Sequence, residues 1–204
     1  MQSSGFSQED YKVFRRETSY SGFFKVESIQ VQHKLFAGSW SSPITRELLS
    51  RGETVGVLPY DPIADTVVLV EQFRIGALDR ARSPWLLELV AGIIERDESP
   101  QEVASREAIE EANCRVTDLL PLAEYFPSPG ACSEYIKLFC GKTVTEGLGG
   151  IHGCDSEGED IKVHVMPRET AYKHLSLGDI VEAHTIIALQ WLQLNYQRLQ
   201  QSWR

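Results

Sequence analysis

The chain has 204 residues, enough for one domain or for one compact domain with a small extra element. Hydrophobic residues make up 42%, which allows a sizeable core and excludes wholesale disorder. The formal net charge of -9 argues against a nucleic-acid or anionic-membrane surface, both of which need clustered lysine and arginine. It leaves a phosphorylated ligand open, because bound divalent cations invert the local field.

The first ten residues are polar and lack the basic-then-apolar pattern of a signal peptide, and no apolar run is long enough to span a bilayer. A cytoplasmic location is the expectation. Residues 23–36 alternate through Phe24, Val26, Ile29 and Val31 and predict one or two strands. The first fifty or so residues read as a separate strand-rich element. Residues 54–59 and 66–71 are β-branched runs separated by Asp61, Pro62 and Asp65, so a hairpin is expected. Residues 85–90 form a short apolar run ending near Gly92. A helix is predicted over 100–112, with Ser99 as N-cap, Pro100 in the first turn and Glu102 as the capping-box acid. Residues 135–140 and 161–166 read as strands, and 146–159, rich in glycine and acid, as a mobile loop. Further helices are expected over 168–175 and 182–200, the last from the spacing of Ile186, Leu189, Leu192 and Leu199. Mixed strands followed by helices point to an α+β or layered α/β/α domain. Cys114, Cys132, Cys140 and Cys154 show no CxxC spacing, and the five histidines show no metal-ligand spacing.

The segment richest in chemistry spans residues 91–114. Five residues separate Gly92 from Glu98, and seven more lead to Arg106 and Glu107, followed by Glu110 and Glu111. On a helix, positions 107, 110 and 111 share a face. Glu107 and Glu111 are an i,i+4 like-charge pair, unfavourable by roughly 0.2–0.5 kcal/mol without a cation. Two readings follow. One is a solvated acidic face with Glu102–Arg106 and Arg106–Glu110 as helix pairs. The other is a magnesium site, since magnesium takes hard oxygens, keeps waters and shares carboxylates with substrate phosphates. The helix by itself leaves both open.

The set Gly92, Glu98, Arg106, Glu107, Glu110 and Glu111 stands at the spacing of the Nudix box, and the chain resembles the Nudix hydrolases. Three positions depart from that pattern: Asn113 replaces the usual glycine, and Ala108 and Cys114 replace bulky aliphatics. Asparagine is the next-best residue for a left-handed helix end, so the turn is expected to survive. The resemblance implies a Nudix-type α/β/α sandwich with a mixed sheet over residues 51–204, and an N-terminal β element over 1–50 serving dimerisation and the substrate side. It implies Glu107, Glu111 and the carbonyl of Ala91 as ligands of Mg2+, for which Mn2+ could substitute. Glu110 would support the metal shell, while Gly92, Glu98 and Arg106 would hold the loop and orient the acids.

Other segments narrow the resemblance to the bacterial ADP-ribose pyrophosphatase branch. They are the Ser128-Pro129-Gly130 turn, residues 150–163, residues 187–194, residues 20–24 and residues 85–92. That branch implies hydrolysis of the ADP-ribose pyrophosphate to AMP and ribose 5-phosphate. It also implies Glu159 as a further metal ligand and Glu157 as general base. Arg74, Ile93, Glu134 and the Ser128, Pro129 and Gly130 turn would contact the substrate. Phe23, Arg46, Glu47 and Arg51 would form the adenosine side, some of them donated across a homodimer. The competing expectations are a pyrophosphatase for another nucleotide sugar, such as ADP-glucose or GDP-mannose, and a non-catalytic nucleotide-binding module.

Overall fold

The computed structural model describes residues 5–79, 82–95, 97–154 and 158–203. The chain divides into two units, Met1–Gly52 with Phe126–Tyr135, and Glu53–Tyr125 with Ile136–Arg204.

In the first unit, β1 (Tyr11–Ser21), β2 (Lys25–His33) and β3 (Ile44–Ser50) form an antiparallel sheet in that order. β1 is exposed along its whole length, and on β2 only Glu27 and Ile29 are buried. The strand-rich N-terminal element is therefore present, but it is not contiguous. Residues 126–135 join it because Leu49 exchanges backbone hydrogen bonds with the carbonyl of Ala131 at 2.8 Å and the amide of Ser133 at 3.0 Å. A peptide laid against an open strand edge satisfies groups that would otherwise face water.

The second unit holds β4 (Glu53–Asp61), β5 (Thr66–Phe73), β6 (Trp85–Glu88), β7 (Val90–Ile93), α1 (Pro100–Ala112), β8 (Thr117–Tyr125), β9 (Tyr135–Lys142), β10 (Gly150–His152), β11 (Ile161–Pro167), α2 (Arg168–Leu177) and α3 (Ala183–Ser202). The sheet runs β10-β11-β5-β4-β9-β8. β4 and β9 run the same way: Lys137 meets Glu53 at 2.6 Å near their starts, and the Thr143 amide reaches the Tyr60 carbonyl at 3.0 Å near their ends. The other pairings are antiparallel, so the sheet is mixed.

Alternation along the central strands builds two cores. Leu58, Tyr60, Val67 and Leu69 pack with Leu189 and Leu192 of α3 on one face. Val55, Val57, Val68 and Val70 pack with Val103, Ala104 and Ala108 of α1 on the other. Helices on both faces of a sheet give an α/β/α sandwich, the architecture expected. Ala108 and Cys114 are fully buried in the α1 core, so the smaller side chains there are accommodated.

Two local differences from expectation position the site. The anticipated hairpin pairs only Tyr60 with Val67 and Asp61 with Thr66; beyond that, β5 takes β6 as partner and β4 takes β7. Inside the segment read as a loop, Gly150–His152 adds as β10 to the edge of β11. α1 begins and ends as expected. Ser99 and Glu102 form the capping box, and Asn113 closes the helix at φ 47.

Candidate active site

The site in the second unit starts where β7 lies under α1. A Cβ added to Gly92 would stand 1.8 Å from Oε1 of Glu107 and 2.1 Å from its carboxyl carbon. Only glycine therefore lets the Glu107 side chain lie across this strand. One turn along, Glu111 is 2% exposed and its Oε2 accepts the amide N–H of Ala91 at 3.2 Å. Burial pushes the Glu111 carboxyl up to about 8; the Ala91 N–H opposes the shift, while Glu107 and Glu159 add to it. Burial likewise pushes Glu107 up to about 7, against the Arg106 charge and with help from Glu110 and Glu159.

Arg106 holds three acids at once. Its Nε and Nη2 donate to the two carboxylate oxygens of Glu98 at 2.9 and 3.1 Å, and its Nη1 donates to Glu107 at 2.8 Å and Glu110 at 2.9 Å. The Glu98 pair is the bidentate arrangement that fixes orientation as well as charge. The Glu102–Arg106 helix pair is not formed. Glu102 accepts the Ser99 amide and hydroxyl at 2.7 and 2.6 Å, so its carboxylate is committed to the cap.

The third wall comes from the chain after β10. A cavity of about 210 Å³ is lined by Arg106, Glu107, Glu110, Gly153, Cys154 and Glu159. Glu159 accepts the Cys154 amide at 3.1 Å. Gly153 has φ +108, and a Cβ there would meet the Glu159 Cβ at 2.9 Å, so glycine is what allows the two segments to approach. Glu157, expected as the base, lies outside the described residues.

The buried Glu111 carboxylate meets one backbone N–H and the half-buried Glu107 carboxylate one arginine, and the proton affinities of both are raised by confinement and mutual repulsion. That is the environment a divalent cation relieves. The donors are hard oxygens, as magnesium requires. Among the described residues no three His, Cys, Asp or Glu side chains converge into a closed metal cage. An open pair of carboxylates suits a cation that keeps waters and completes its shell with substrate phosphates. The residues fit the ion.

Beside these acids, Arg74 donates through Nε and Nη2 to Oε2 of Glu88 at 2.9 and 2.8 Å. Burial raises the Glu88 carboxyl and the Arg74 charge opposes the shift. The Arg74 side chain remains 44% exposed. Ile93 is exposed at the end of β7.

The remaining expected substrate residues belong to the first unit. Arg51 Nε lies 3.2 Å from Glu134 Oε1, its guanidinium stands 5.4 Å from the Phe24 ring, and its amide donates to Ser133 Oγ at 2.8 Å. The Ser128 carbonyl closes the turn through Pro129 and Gly130 by accepting the Ala131 and Cys132 amides at 3.2 and 2.9 Å. Phe23 is 88% exposed and touches Phe24 edge-on at 4.9 Å. Arg46 and Glu47 are exposed on β3, where Arg46 donates to the Thr45 carbonyl at 2.9 Å. The structure thus gathers Ala91, Gly92, Glu98, Arg106, Glu107, Glu110, Glu111 and Glu159 in one unit, and Arg51 with Glu134 in the other.

Sequence reasoning passed over Glu88 and the close approach at Gly153. For Glu88 there was a signal: a charged residue inside the apolar run of residues 85–90 must be paired when buried. For Gly153 the signal is tertiary, since it lies in the contact with Glu159.

The NUDIX domain family matches residues 50–187. The chain is 50% identical over 202 residues to an ADP-ribose pyrophosphatase of Haemophilus influenzae, covering 98% of this chain and 93% of that one. An Escherichia coli ADP-ribose pyrophosphatase is 46% identical over 198 residues, 97% of this chain and 95% of its own. A GDP-mannose pyrophosphatase of Escherichia coli is 32% identical over 152 residues, 74% and 78% of the two chains. A solved ADP compounds hydrolase shares the fold with a TM-score of 0.68 at 22% identity, over 94% of this chain and 98% of that one.

Proposed function

The chain belongs to the NUDIX family, and from that premise we propose that it hydrolyses the pyrophosphate bond of ADP-ribose, with magnesium, to AMP and ribose 5-phosphate. The observation that carries this reading is the Glu107–Glu111 pair, one half-buried and one buried, packed against Gly92 and Ala91 with too few cations to neutralise it. The identity with ADP-ribose pyrophosphatases spans nearly the whole chain, whereas the GDP-mannose pyrophosphatase aligns over less of it and at lower identity.

Glu107, Glu111 and the Ala91 carbonyl would hold Mg2+, with Glu159 joining from the loop, and Mn2+ would serve in its place. When bound there, the ion supplies positive charge against the diphosphate and acidifies coordinated water. Arg106 keeps Glu98, Glu107 and Glu110 aligned. Arg74, anchored on Glu88, keeps its outer face for a substrate phosphate. Glu157 takes the proton of the attacking water as a P–O bond forms, while the P–O bond to the bridging oxygen breaks; the two monophosphates leave. Ile93, Glu134 and the Ser128–Gly130 turn contact the substrate. Phe23, Arg46, Glu47 and Arg51 serve the adenosine side of a homodimer. The net charge of -9 supports a cytoplasmic enzyme without nucleic-acid or membrane partners.

The test is a steady-state comparison of ADP-ribose, ADP-glucose and GDP-mannose, each with Mg2+ or with EDTA, following release of the nucleoside monophosphate. The highest kcat/KM should fall to ADP-ribose, and EDTA should abolish turnover. A clear preference for GDP-mannose, or turnover indifferent to EDTA, would overturn the proposal.

A further inference from the structure

One residue, Leu89, separates β6 from β7. Before it, Glu88 is in register with Val70 of β5; after it, Val90 is in register with Val57 of β4. The chain therefore changes ladders at Leu89, and the Leu89 amide donates out of the sheet to Oγ1 of Thr185 at 2.8 Å. Thr185 is fully buried in the first turn of α3. Its hydroxyl has a single proton, which goes to Oε2 of Glu182 at 2.8 Å. Glu182 is fixed in turn by the amides of His184 and Thr185, both at 2.8 Å. Because the carboxylate takes the proton, the Thr185 oxygen is left to accept from Leu89, and the relay has one direction.

The pinned residue sits between two parts of the site. One residue back, Glu88 carries Arg74. Two residues on, the Ala91 amide holds Glu111. A displacement of Leu89 would move the Ala91 backbone relative to Glu111 and the Glu88 anchor of Arg74 together. Neither consequence follows from an ordinary helix cap, whose hydrogen bonds stay within the helix end.

We infer that Thr185, oriented by Glu182, is a positioning residue that sets the β6–β7 switch so that Ala91 and Glu111 present a cation-binding face. This rests on the proposed metal reading of Glu111. Partners that orient metal ligands change metal affinity by about 10–100-fold when lost.

The experiment is a Mn2+ titration of the substrate-free protein, read by the EPR signal of free Mn2+, alongside Tm and kinetics with ADP-ribose. Thr185→Val keeps the shape and removes the relay; it should weaken Mn2+ binding about tenfold and lower kcat more than it changes KM. Thr185→Ser, which restores the hydroxyl, should recover wild-type affinity. Leu199→Val, buried near the far end of α3, should lower Tm and leave the Mn2+ Kd unchanged. Glu182→Leu, which removes the acceptor of the Thr185 proton, is the second probe should Thr185→Val fail to fold, with about a tenfold loss of affinity expected. An unchanged Kd in folded Thr185→Val, or in Glu182→Leu where that is the variant measured, overturns the inference alone. An equal loss in Leu199→Val also overturns it, since that loss would then come from stability. A wild-type protein that binds no Mn2+ overturns the metal reading beneath it.

Discussion

Glu111 sits where its own charge is disfavoured, and that makes it the most informative single residue. Replacing it with glutamine keeps the shape and removes a buried carboxylate crowded by Glu107 and Glu159. We expect turnover with Mg2+ to fall about 10²–10³-fold. The metal-free Tm at pH 8 should rise, since an ionised buried acid is replaced by a neutral amide. Near-normal turnover in Glu111→Gln would remove the residue from the cation site. Gly92→Ala tests the neighbouring contact. The added methyl would overlap the Glu107 carboxylate, which must then leave the strand surface. Mn2+ affinity should drop about tenfold or more while the far-UV circular dichroism stays unchanged. These acids were legible in the sequence because their spacing on one helix is local information. The base role expected of Glu157 came from the resemblance alone, and that residue lies outside the described ones.

α1 as an element makes a prediction about pH. Glu107 and Glu111, at about 7 and about 8 in the folded chain, stand above the ordinary carboxylate value of roughly 4.3. Between those limits the folded chain holds more protons than the unfolded one. The stability these groups contribute is complete below about 4.3 and is lost as pH rises through about 8. The carboxylates held low, such as Asp61 and Asp65, change stability only at more acidic pH. The metal-free protein should therefore lose Tm from pH 5.5 to 8.5. Cation binding needs the ionised form, so the Tm gain from Mg2+ should be larger at pH 8.5 than at 5.5. Equal gains at both values would contradict this account of α1. The boundaries of α1 were readable beforehand because its cap and its end depend on residues within four positions of one another. The Glu102–Arg106 pair was misread because helix spacing says which side chains can meet, and not that the cap already holds Glu102 while Glu98 competes for Arg106.

For the whole molecule, the proposed homodimer makes a prediction, since Tyr11, Phe14, Tyr20 and Phe23 of the first unit are exposed aromatic side chains that a second copy of the chain would cover. Sedimentation should give a single species at twice 23.0 kDa, and a monomer at micromolar concentration would refute it. Much of that unit escaped sequence reading. β1 carries register shifts at Val13/Arg15 and Thr18/Tyr20, and each shift turns the alternation over to the other face. The amino-acid sequence alone determined the helices, the buried central strands and the row of acids, since each follows from spacing within a few residues. Only the tertiary structure decided that β4 and β5 part to admit residues 85–93, that Glu88 anchors Arg74, that Glu182 and Thr185 pin Leu89, and that residues 126–135 join β3. Those are pairings between distant segments, and hydrogen-bond groups left over by one element find partners only once the whole chain has folded.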